Sequence, residues 1–288
     1  MAKVKTPKQP KDDAPTKPKK LASSWVLLRQ TWMELSSFWR TLVGITLVYV
    51  VLYVVLVMGL NITSGLSVPV DTGLNRFSQA INSIATSIND VYAQAQSDTT
   101  VLVQMLLFVV ASLALIWALR KLQALKKITI RDAYYQGSAQ IIPVLLVSIV
   151  LLLTLIPAVI GSSIFSVVLQ TASVGIEILI VSVIAGLLLL LSLLLFSIFW
   201  PAYYIASLPQ TRPIQALKSA KAITKKRRLS IIRKFLVLGL VLGICGLLFV
   251  VPIAIIAPSF ASYVVYIALF AGFLYSQVYL YELYRSLL

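Results

Sequence analysis

The sequence predicts an all-α membrane protein: a polytopic transmembrane bundle of six helices, with amphipathic helices at the interface. Three observations predict it. The 288 residues are 59% hydrophobic and only 12% charged, with a mean hydropathy of +0.94; a soluble domain carries roughly 25% charged residues. Six continuously apolar runs reach the ~18 residues that suggest a membrane-crossing helix. The basic residues, finally, collect on alternate connections between those runs. Barrel strands would alternate apolar and polar over about ten residues. Unbroken runs instead fit helices, which satisfy their own backbone hydrogen bonds within lipid.

Residues 1–22 are Lys- and Pro-rich. They are expected to be a disordered basic cytoplasmic tail, because so few apolar groups cannot offset chain entropy. Residues 23–288 form the transmembrane domain. In residues 24–40, Trp25, Leu28, Trp32, Leu35 and Trp39 recur at spacings of 3 and 4. That stripe predicts a short helix lying in the headgroup plane before the first span.

The spans are expected at about 41–60, 101–119, 140–160, 176–200, 235–257 and 261–281. The first begins some 40 residues in and is too long for the apolar core of a cleaved leader, so it reads as an uncleaved anchor. Between the first two spans, Leu74, Phe77, Ile81, Ile84, Ile88, Val91 and Ala95 keep a 3-4 rhythm. They predict an extracytoplasmic amphipathic helix over about 72–96, capped by Asp71 or Thr72. It lies on the membrane, covers the bundle or self-associates. The uncharged stretch 161–175 reads as a tight turn, as does the segment around Pro258. In 201–234, Pro213 suits the first turn of a helix, with Thr211 as its cap. Three units, each a basic or amphipathic helix leading into a span that returns through a second, form a weak internal repeat over 24–119, 120–200 and 212–281.

Lys and Arg concentrate in 1–40, 120–139 and 201–234, with Arg285 after the last span; only Arg76 falls on the other side. This positive-inside pattern puts both termini in the cytoplasm. Trp25, Trp32, Trp39, Trp117 and Trp200 fall at the same ends of the spans and read as interfacial anchors.

The densest block holds Lys218, Lys221, Lys225, Lys226, Arg227, Arg228, Arg233 and Lys234. Lys218, Lys221, Lys225 and Arg228 share one helical face. Like charges at this spacing repel, whereas near an anionic leaflet each contributes about 1 kcal/mol of attraction. These residues are therefore the candidate anionic-lipid site; the alternatives are a purely topological role and a docking surface for a cytoplasmic or nucleic-acid partner. No specific nucleic-acid motif accompanies them. The succession Tyr203-Tyr204, Pro213, Ala216-Leu217 and Ser219, then a basic patch and a Gly-bearing span, resembles the bacterial membrane-domain family named after the membrane part of some glycerophosphodiester phosphodiesterases. That family carries an Ala-Leu-x-x-Ser stretch before a basic turn and its fifth span, matched here by Ala216, Leu217 and Ser219. The run KKRR at 225–228 departs from the Gly that often follows a single base there. The phosphodiesterase barrel is lacking, so the resemblance implies a six-span module and no hydrolase activity.

Chemistry-bearing residues are scarce. There is no histidine and one cysteine, Cys245, which precludes an internal disulfide and leaves a Cys-based metal site without ligands. No cofactor motif occurs. Of the nine acids, only Glu177 falls within a predicted span, near its outer end, where it reads as a snorkelling structural group or as an ion or proton site. Gly239, Gly243 and Gly246 read as a helix-packing face, and Tyr49/Tyr53 and Tyr275/Tyr279 as core. The expected function is non-enzymatic: a multi-pass scaffold or accessory subunit in envelope or lipid homeostasis, in a bacterial plasma membrane. Its partners would be anionic lipid and either a second copy or another membrane protein. The alternative is a transporter or channel for a small or lipid-like solute.

Overall fold

A computed structural model of the chain describes residues 23–58, 98–124, 128–171, 175–209, 211–225, 227–256 and 260–288. The tail 1–22, the expected 72–96 helix, Pro258 and Lys226 lie outside the described residues. The helices are α1 (Ser24–Ser37), α2 (Trp39–Tyr53, ending in a π-turn Val54–Met58), α3 (Asp98–Gln123) and α4 (Ile130–Gly137). After a 3₁₀ turn at Ser138–Gln140 come α5 (Ile141–Thr171), α6 (Gly175–Ala206), α7 (Pro213–Thr224), α8 (Arg228–Ile256) and α9 (Ala261–Leu287). Among the described residues there is no strand. Six helical stretches, α2, α3, α4–α5, α6, α8 and α9, are long and apolar enough to cross a membrane. The chain is a multi-pass membrane protein.

Local chemistry explains the boundaries. Thr129 and Asp132 form a capping box at the start of α4, their hydroxyl and carboxylate reciprocally meeting backbone N–H groups. Pro213 occupies the first turn of α7, where its missing N–H costs nothing. Pro157 and Pro201 lie inside α5 and α6, and each frees carbonyls in the preceding turn. In both cases the carbonyl three residues earlier is approached by a hydroxyl from a neighbouring helix. Ser192 donates to Thr154 O at 2.9 Å, and Thr224 Oγ1 lies 3.4 Å from Ile198 O.

The element order repeats, a short helix (α1, α4 and α7) preceding α2, α5 and α8. Around the bundle, α3 packs on α2, α4, α5 and α9; α6 packs on α5, α7 and α8; and α8 returns against α9. α1 lies along α9. The core is concentrated at one end, where α1, α4 and α7 also gather. In α6 the buried residues begin only at Ser192, and in α9 all the described buried residues except Val265 lie between Leu274 and Leu287. Towards the opposite end Leu179, Val183, Leu187, Leu247 and Phe249 are exposed. Such faces are stable in lipid, whose tails are as apolar as leucine.

Two local expectations are corrected. Residues 161–171 are not a turn but the end of α5. Their serine hydroxyls fold back onto the helix, Ser162 and Ser163 donating to Val159 O at 2.9 Å, so the polar groups are satisfied without breaking it. Gly161 is a close contact, since a Cβ there would lie 3.2 Å from Leu188 Cβ and 3.3 Å from Ala185 O. Thr211 does not cap α7, whose N-cap is Arg212 without a side-chain bond. Its hydroxyl turns back to the end of α6, within 3.0 Å of Ile205 O and 2.9 Å of Leu208 O.

Candidate functional site

The basic end of the bundle carries two distinct polar features. The first is the face of α7 and the start of α8. Ala216, Ala220 and Thr224 turn inward against α6, so Lys218, Lys221 and Lys225 are left exposed, together with Ile214 and Leu229. Arg212 and Arg233 are exposed as well, and Arg227 and Arg228 are half-buried. Lys234 lies apart from this surface, only 2% exposed within α8. The predicted basic residues are thus divided between an open face and the helix junction beneath it. No acidic residue occurs between Glu177 and Glu282.

The second feature, which sequence reasoning missed, is organised by the last turn of α3. Arg120 clamps the end of α6: its guanidinium donates to Tyr204 O (2.7 Å), Ser207 O (2.9 Å) and Ser207 Oγ (2.7 Å). A cation at a helix C-terminus also complements the exposed carbonyl dipoles. One turn on, Gln123 Nε2 donates to two carboxylates, Glu34 Oε1 from α1 and Glu282 Oε1 from α9, each at 2.7 Å. Arg285 stands 3.9 Å from Glu34 and 3.7 Å from Glu282. Being largely exposed, it only partly balances them.

Burial pushes the Glu34 carboxyl up to about 7, reinforced by the charge of Glu282 and a hydrogen bond to it; Gln123 and Arg285 act the other way. Glu34 Oε2 is buried without a donor. Glu34 favours its protonated form, because a half-buried carboxyl beside a second acidic side chain ionises at a cost.

The aromatic positions divide. Trp25 and Trp32 are 76% and 65% exposed, because α1 faces the core with Leu27 and Thr31 instead; Trp39, the first residue of α2, is also exposed. Lys121 lies over the half-buried Trp117 ring at 5.6 Å. Trp200 departs from the expected anchors: it is a core residue, edge-on to Phe235 and Tyr204. Tyr49 and Tyr53 pack with Phe270 at ring distances of 5.5 Å. Tyr279 is buried and donates to Lys234 O at 3.3 Å. Gly239, Gly243 and Gly246 contact nothing within 4 Å of an added Cβ, so that face of α8 is open rather than packed within the chain. Glu177 is exposed in the first turn of α6, where a carboxylate complements the helix dipole. It lies well away along the helix from the carboxyl pair.

Among the described residues no cluster of potential ligands could hold a metal ion. No protein family, no curated protein and no solved structure matches the chain.

Proposed function

We propose that this chain is a non-enzymatic membrane scaffold or accessory subunit, acting in envelope or lipid homeostasis and holding anionic lipid at its basic end. In this reading the membrane is a bacterial plasma membrane, the basic end faces the cytoplasm and both termini are cytoplasmic. The observation that carries it is the open row Lys218, Lys221 and Lys225 on α7. No carboxylate occurs in the surrounding sequence to neutralise the row, and the exposed Ile214 and Leu229 can enter the headgroup layer beside it. Near an anionic leaflet, three such lysines contribute roughly 3 kcal/mol of attraction. The exposed tryptophans of α1 supply a second interfacial anchor. The likeness of residues 203–219 to a membrane module without a catalytic barrel points the same way. The transporter alternative is disfavoured by the aromatic packing of Tyr49, Tyr53 and Phe270, which fills the space between α2 and α9.

The test is lipid selectivity of the full chain in micelles containing equal phosphatidylglycerol and phosphatidylcholine, read by native mass spectrometry. Wild type should carry mainly the anionic lipid. The variant Lys218→Gln/Lys221→Gln/Lys225→Gln should lose most of that preference; an unchanged ratio sinks the proposal. Orientation is read separately: in a Cys245→Ala background, Ala80→Cys and Leu125→Cys should be labelled from opposite sides of the membrane.

A further inference from the structure

α1 is held to the bundle by a short apolar seam and one polar contact. In the seam Leu27 and Thr31 are buried and Leu28 and Leu35 partly buried, whereas Trp25, Trp32 and Met33 face outward. The helix runs along α9. It is separated from α2 by a break at Phe38, whose backbone leaves the helical region (φ −117°, ψ 20°). The Phe38 amide donates to Glu34 O, and the amides of Thr41 and Leu42 donate to Phe38 O, each at 3.1 Å. One residue thus joins two separately hydrogen-bonded helices, so a change of angle there leaves both intact. Helices with few buried side chains are the ones that open locally.

The polar contact is at Glu34, one turn before that break. Gln123 Nε2 of α3 donates to Glu34 Oε1 and to Glu282 Oε1 of α9, each at 2.7 Å. One amide therefore draws together two acidic side chains from opposite ends of the chain. Around them, α9 presents Tyr281 and Arg285, the latter 3.9 Å from Glu34 and 59% exposed. In α3, Arg120 is engaged with the end of α6 and Lys121 lies over Trp117. The only charged residue of α2 is Arg40, over the Trp39 ring at 5.9 Å, and Arg29 of α1 is exposed. Ionised, Glu34 repels Glu282 across the α1–α9 contact, and its Oε2, buried without a partner, takes up charge. We propose that α1 is a pH-sensitive strap, which lies closed along α9 while Glu34 is protonated and opens at the Phe38 break when Glu34 ionises. Opening shifts Trp25 and Trp32 relative to the bundle, so pH sets the position of this interfacial anchor. A carboxyl raised from 4.5 to about 7 favours the closed strap fully below about 4.5, progressively less up to about 7, and no further above it. The strap needs no bound lipid.

The test is hydrogen–deuterium exchange of the full chain in a non-ionic detergent from pH 5 to 8, corrected for the intrinsic pH dependence of amide exchange. If the open strap has the ordinary carboxyl, opening becomes up to about 70-fold more favourable across that range. With Glu34 partly hydrated, residues 27–37 should lose at least about tenfold in protection, while residues 109–119 of α3 keep theirs. Glu34→Gln should hold α1 protected at pH 8. Arg285→Gln removes a cation that favours the ionised form, so release should move to higher pH. Should Glu34→Gln fail to fold, Arg285→Gln decides alone. Protection of 27–37 that does not change with pH, or that Glu34→Gln loses as wild type does, overturns the strap. So does a loss shared equally by α1, α3 and α9, which would leave Glu34 acting on the whole fold and no local opening.

Discussion

Replacing Glu34 by Gln should remove a pH dependence from the protein's stability. The folded-state carboxyl sits near 7, against an ordinary value of 4.5, so the folded chain binds a proton more tightly than the unfolded chain does. Stability from this group is therefore fully present below about 4.5, declines as pH rises through the interval to about 7, and is flat above it. A full shift of this size corresponds to about 3 kcal/mol. Glu34 keeps 20% exposure, which leaves it some water, so roughly 1–3 kcal/mol is expected. At ~2–4 °C per kcal/mol for a domain of this size, wild type should melt several degrees lower at pH 8 than at pH 5. The chain has no histidine to obscure the interval. Glu34→Gln imitates the protonated acid: its amide can donate to Glu282 while its carbonyl accepts from Gln123. The variant should lose the slope and exceed wild type in stability at pH 8. The assay is thermal unfolding of the full chain in a non-ionic detergent from pH 5 to 8. A flat or rising wild-type profile, or a variant that keeps the slope, would refute the raised Glu34 carboxyl.

Two further outcomes are expected from packing. Gly137→Ala places a Cβ 3.0 Å from Ala114 Cα and 3.1 Å from Ala114 N; neither backbone atom can yield, so about 1–3 kcal/mol should be lost. Gly239→Ala, with open space around it, should leave the melting temperature unchanged or slightly raised. Arg120→Gln abandons three oxygens at the end of α6 and should cost about 2–3 kcal/mol. Arg120→Lys should recover little of it, because a single ammonium cannot reproduce the planar fork; full recovery by Lys would show that only charge matters there.

The six spans, a helix within 24–40 (found as Ser24–Ser37) and the helix opened by Pro213 were legible in the sequence, because span length and helical period are local properties. The extent of α5 was less so. Its serines satisfy themselves within the helix, and composition alone cannot distinguish such a stretch from a polar turn. Among the described residues, the glycine face finds no neighbour. The spacing of Gly239 and Gly243 fits a packing face, but spacing does not say whether another helix is there. Gly137 and Gly161, which carry no such motif, are the ones that neighbouring backbone approaches. Glu34 and Glu282 are both assigned by the charge pattern to the same side of the membrane. Their pairing depends on α1 lying along α9, a contact between opposite ends of the chain. A faint signal existed: Leu27, Thr31 and Glu34 recur at helical spacing on the side of α1 away from Trp25 and Trp32, marking a carboxyl aimed at the core.

The uneven distribution of the core follows from the same physics. Within hydrocarbon, apolar helices gain little by leaving lipid for one another, so association has to come from close packing and polar contacts. In this chain the close approach of α4 to α3 at Gly137, the Arg120 clamp and the Gln123 bridge all fall at the basic end. The burial falls there too. α3 is the common element: residues spaced three apart in its final turn, Arg120 and Gln123, fasten α6 on one side and both α1 and α9 on the other. Glu177, which read from the sequence as a snorkelling structural group or as an ion or proton site, is exposed at a helix start. The polar organisation that distinguishes this bundle lies instead at its basic end, where the Glu34 carboxyl stands beside Glu282 and Lys218, Lys221 and Lys225 are exposed. A role centred on the membrane surface, rather than on a path through the bilayer, is the reading that uses both.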